Sequence, residues 1–141
     1  MMSSQVPALE SVRSYAVSLD EKYSELLNIL VIESDDIEKE AVFDLNIHTK
    51  LESETVSAII NLTKVIGTYL EKLQADDELL LLFSEIDKKK KLALEQTEKN
   101  IKNLNNKMAE LKHKIGSLKL PKTAHKVYYS GNNPSLMDIK I

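Results

Sequence analysis

The stretch LEQTEKNIKNLNNKMAELKHKIGSL, residues 94–118, sets Leu94, Thr97, Ile101, Leu104, Met108, Leu111, Ile115 and Leu118 at alternating steps of three and four. That spacing draws one narrow apolar stripe along a helix, the seam of a coiled coil. Such a stripe is buried only by another helix lying nearly parallel to it, so the chain is expected to bundle and to associate. The fold class that follows is all-α: long helices forming a bundle or hairpin plus a coiled coil, with a short C-terminal tail read as a β-hairpin.

Upstream, a second ladder repeats the pattern. Leu9, Val12, Ala16, Leu19, Tyr23, Leu26 and Leu30 again alternate three and four, and Leu27, Ile29, Val31 and Ile32 widen the stripe. An N-terminal helix is therefore expected over 1–33. Ser34-Asp35-Asp36, with Glu38 three residues beyond Asp35, has the form of a capping box and predicts a helix boundary there. A second helix is expected over 35–75, carrying Val56, Ile59, Thr63, Ile66, Leu70 and Leu73, with Gly67 a candidate for a close helix crossing. Ala75-Asp76-Asp77-Glu78 reads either as a turn with an acidic cap or as a solvated stretch of one long helix from 35 to 119; the all-round apolar Leu79 to Phe83, which needs several helices around it, favours the break and a coiled-coil helix over 77–120. Carried back from Leu94, its seam would run through Lys90, Asp87, Phe83 and Leu80. Pro121 stops it. Residues 121–141 read either as a loose tail or as short strands around Gly131 to Pro134, in which case Tyr129, Met137, Ile139 and Ile141 are expected to dock on a partner.

Composition narrows the function. Three Gly and three Pro in 141 residues leave few tight turns and no glycine-rich phosphate loop, and zero Cys removes thiolate nucleophiles, disulfides and cysteine-bound zinc. The sequence shows no leader of the secretory kind and no apolar run near the roughly 18 residues a membrane span needs. The expected setting is intracellular, in cytoplasm or nucleus, with no membrane span. Asp44, His48 and Glu52 share one helical face, but a zinc site wants a fourth ligand and a dimetal bundle a second set, so no metal is expected. No catalytic constellation, cofactor or small-molecule substrate is read from the chain; it is not expected to be an enzyme.

Charge is sharply divided. Residues 1–80 hold 6 basic against 16 acidic side chains, and residues 81–141 hold 13 against 6. Acidic helices beside a basic one would fix register and orientation. Lys88, Lys89, Lys90 and Lys91 are the candidate polyanion contact, although no aromatic residues interleave them as base stacking requires. With Ile101 at position a, Lys107 and Lys114 fall at g and Lys112 at e. A parallel homodimer would then oppose lysines, so partners with acidic flanks, hence a hetero-oligomer with other helical proteins, are expected over self-pairing.

In overall plan, an acidic helical head, a coiled coil and a short strand-forming terminus resemble small subunits of kinetochore, transcription-coactivator or vesicle-tethering assemblies, the kinetochore plan being the nearest. The ladders lead to a non-catalytic structural subunit of a hetero-oligomeric eukaryotic complex, and the likeness in plan points to a kinetochore or chromosome-segregation assembly, with a transcription-coactivator or vesicle-tethering complex as the alternative. The alternative from charge is an adaptor that binds nucleic acid or another polymer through the basic C-terminal half.

Overall fold

A computed structural model describes residues 6–117, which form three long helices and, among the described residues, no strand: α1 (Val6–Glu38), α2 (Val42–Leu70) and α3 (Asp77–Ser117). The tail residues Tyr129, Met137, Ile139 and Ile141, and Leu118, lie outside the described residues. Helix α1 is the centre of the molecule. Both α2 and α3 pack along it, while contact between α2 and α3 is slight. The reason lies in the α1 ladder: Val12, Ala16, Leu19, Tyr23, Leu26 and Leu30 are all buried, and they meet Ile59 and Ile66 of α2 and Leu79, Ile86 and Ala93 of α3 in one apolar core. Leu9, at the head of the ladder, is half-buried.

The cross-links between helices give their directions. Arg13 of α1 pairs with Asp76 at 3.1 Å and Glu78 at 3.3 Å, at the start of α3. Lys89 donates to Asp20 and Ser24, Asn100 to the Leu30 carbonyl, and Asn103 to Glu38. These contacts climb both helices together, so α3 runs parallel to α1. Helix α2 returns antiparallel, with Tyr69 beside Tyr15 at one end and His48 bonded to Asp36 at the other. The acidic first half and the basic second half thus meet within one chain at Lys89 and Asp20.

Two expectations about helix ends are corrected in detail. The first break falls at Lys39 to Ala41, beyond Ser34-Asp35-Asp36, and α1 continues through that sequence. Asp35 is engaged by Lys39 one turn on, at 2.8 Å, and Asp36 by His48, so neither carboxylate is left to cap a new helix. The turn itself has the Schellman pattern: Ala41 N–H bonds the Asp36 carbonyl at 2.8 Å, and Glu40 N–H bonds that of Ile37 at 3.1 Å. Glu40 adopts the left-handed conformation, φ 55°, that glycine usually supplies there. At the second break α2 ends at Leu70, and Asp76 caps α3 by accepting from Leu79 N–H at 2.8 Å. Its other oxygen holds Arg13. Gly67 supports no close helix crossing, since a Cβ built there would meet nothing within 4 Å.

The stripe of α3 is also displaced. Leu79, Ile86, Ala93 and Asn100 are buried, seven residues apart, with Thr97 between the last two, whereas Leu80 and Asp87 are exposed and Leu94 and Ile101 are half-buried. Two ladders share Phe83, Lys90, Thr97 and Leu104 and differ by one residue at the alternate position. The inner one wins because it buries Ile86 where the other would bury Asp87, and because the Asn100 amide satisfies the Leu30 carbonyl at 2.9 Å.

Candidate functional site

Helix α1 ends opposite Asn103, but α3 continues to Ser117, so the fourteen residues 104–117, about 21 Å at ~1.5 Å per residue, run on past the end of α1. Between this overhang and the α1–α2 turn lies a groove of about 280 Å³. Its apolar walls are Ile37, Val42 and Leu45 on one side and Leu104, Met108 and Leu111 on the other, with Lys107, Lys114, Asp36 and Glu40 along the rims. Leu111 is 43% exposed, Val42 68% and the neighbouring Phe43 76%. Phe43, Ile47 and Leu51, spaced four apart on α2, form a separate exposed apolar face of that helix, turned away from the side on which Val42 and Leu45 line the groove.

Of the expected seam, then, Leu94, Ile101, Leu104 and Met108 are half-buried, Ile115 is buried, Leu111 is exposed and Leu118 lies outside the described residues. The N-terminal ladder is different in kind: from Val12 to Leu30 it is consumed by the chain's own core. The apolar runs Leu79 to Phe83 and Ile29 to Ile32 are not wrapped all round. Leu80, Leu81, Val31 and Ile32 remain on the surface.

Directly above the groove the core turns polar. Glu33 of α1 and Glu52 of α2 are both 0% exposed, and among the described residues their four carboxylate oxygens meet no donor other than a proton held between the two. Burial first, and then the neighbouring Glu52, hold the Glu33 carboxyl far above the ordinary carboxylate range. Burial raises Glu52 as well, and a hydrogen bond from protonated Glu33 pulls it part of the way back. A proton on Glu33 is the one donor that lets the two carboxyls bond each other. Toward the turn, His48 Nδ1 donates to Asp36 Oδ2 at 2.5 Å, and Thr49 and Thr55 are buried on α2. From α3 the buried side chains nearest this layer are the uncharged Thr97 and Asn100. Nothing in the ladder reading singled out Glu33 and Glu52, although both stand on core positions, Glu33 three residues after Leu30.

The Asp44, His48 and Glu52 face is divided by this packing, since His48 turns to Asp36 and Glu52 to Glu33. Among the described residues no group of three or more His, Asp or Glu is placed to hold a metal ion. The lysine run is largely occupied from within: Lys88 pairs with Glu85, Lys89 with Asp20 and Lys91 with Asp87, while Lys90 is half-buried. No helix among the described residues is long and apolar enough to cross a membrane. No protein-family model matches the chain, and neither a curated protein nor a solved structure is detectably similar to it.

Proposed function

We propose that this chain is a non-catalytic structural subunit of a hetero-oligomeric complex, built to present the α3 overhang and the hairpin-end groove to helices of other proteins. The observation that carries the reading is the apolar groove left open where α3 outruns α1, lined by the exposed Val42 and Leu111 with Leu104 and Met108 between α3 and the turn. An assembly of the kinetochore kind is the setting to try first, on the strength of the helical head and projecting basic helix. The adaptor reading draws less support, because three of the four lysines at 88–91 already face acids of this chain.

The test replaces Leu104 and Leu111 together by Asp in the full chain and follows the mass of the native assembly. Association is expected to be lost, with Leu111→Asp alone, at an exposed position, giving a large part of the loss without a change in helix content. An assembly of unaltered mass in both variants would remove α3 from the interface and the proposal with it.

A further inference from the structure

The charges around the groove are not symmetrical in their availability, although each rim looks equally charged in sequence. On the turn side, residues 35–44 hold five acids against one lysine, a net −4. Most of these acids already have partners: Asp35 has Lys39, Asp36 has His48 and Glu38 accepts from Asn103. On the α3 side, residues 101–117 hold four lysines against Glu110, a net +3. Lys107 and Lys114, seven residues apart and so on one face, line the groove with no ion-pair partner among the described residues. The groove therefore offers an apolar floor, one edge on which Asp36 is paired and Glu40 is the open acid, and one edge with the two open lysines Lys107 and Lys114.

We propose that its occupant is an amphipathic helix of a partner protein, with Leu or Ile seated between Val42 and Leu111 and Glu or Asp along the edge that meets Lys107 and Lys114. This rests on the assembly reading above and adds the chemistry of the partner. A helix enters because the α3 wall repeats Leu104 with Leu111 and Lys107 with Lys114 at the seven-residue spacing a helical ligand matches. A second copy of this chain is the poorer occupant, since its own overhang would bring lysine against lysine. A polyphosphate chain is poorer still: it would leave Leu104, Met108 and Leu111 uncovered and would face Glu40 and Asp36 across the groove. Open charges at the edge of an apolar contact set partner choice and encounter rate more than total affinity.

The probes are two fluorescent four-heptad peptides with identical Leu and Ile core positions, one flanked by Glu and the other by Lys, titrated against the full chain. The Glu-flanked peptide is expected to bind at least tenfold more tightly at low salt, with the preference shrinking as salt screens the lysines. Lys107→Glu with Lys114→Glu is expected to reverse the preference, and Leu111→Asp to abolish both bindings. Equal affinities, a preference that survives the double charge reversal, or no binding by a monomeric chain would each overturn the proposal. So would a chain that dimerises through the groove, or binding that appears only after residues 121–141 are removed, since either would name a different occupant. If Leu104→Asp and Leu111→Asp dissolve the native assembly but the peptides show no charge preference, the assembly reading stands and only the acidic partner falls.

Discussion

Replacing Glu33 by Met and Glu52 by Leu together is expected to make the protein more stable, by about 2–4 kcal/mol at neutral pH, because two buried carboxyls without donors are exchanged for apolar groups of similar volume. The gain should depend on pH. Both groups are held above their ordinary value of 4.5 in the folded chain, so the native state keeps protons that the unfolded state has released. Their contribution to stability is then fully present below that value and is lost as pH rises toward the folded value. Urea melts of the native chain at a series of pH values from 5 upward should show declining midpoints, and the double variant should flatten that decline. A double variant less stable than the native chain at pH 7.5, with the slope intact, would mean the two carboxyls do not face each other in a dry core. Asp36 and His48, which bond each other beside the pair, are left unchanged in both proteins so that the slope reports on Glu33 and Glu52.

Leu26→Ala is expected to produce the largest single destabilisation, about 3–5 kcal/mol, the upper part of the range for a buried leucine. Leu26 is 0% exposed and sits midway along α1, the helix on which both others lean. A cavity there lies between helices that are tied together elsewhere, α3 to α1 by Arg13 with Asp76 and Asn100 with Leu30, and α2 to α1 by His48 with Asp36, so it has little room to collapse. Leu81→Ala, on the exposed face of α3, should change stability by no more than about 0.5 kcal/mol and serves as the control. Chemical denaturation followed by circular dichroism measures both. A loss under about 1 kcal/mol at Leu26 would contradict a central α1.

Much of this architecture could be read from apolar spacing. The α1 ladder from Val12 to Leu30 needed no tertiary knowledge, because helical periodicity is a local property, whereas the acids at 76–78 suit a cap and a solvated helix face equally and only the Asp76 bond to Leu79 N–H decides. The turn at Lys39 to Ala41 was hidden because Glu40 occupies a left-handed position without glycine, while Asp35 and Asp36 imitated a cap although their carboxylates serve Lys39 and His48. The displaced stripe on α3 was hidden for a different reason. Two ladders differ by a single residue at alternate steps, and only the neighbour decides between them, here through the Leu30 carbonyl that Asn100 reaches. The groove was half visible: Leu104, Met108 and Leu111 stood out, but Val42 and Leu45, which complete it, come from a helix start with no periodic signal of its own. Glu33 and Glu52 could have been found by asking which polar residues fall on core positions.

A subunit of a larger helical assembly should be isolated together with its partners. The most direct measurement is its isolation under native conditions at high salt, followed by mass determination of what stays bound. The predicted result is this chain in fixed ratio with other helical proteins, and hydrogen exchange slowed at residues 42–45 and 104–114 relative to the free chain. Recovery of the chain alone as a monomer, with those segments exchanging as fast as in the free protein, would contradict it.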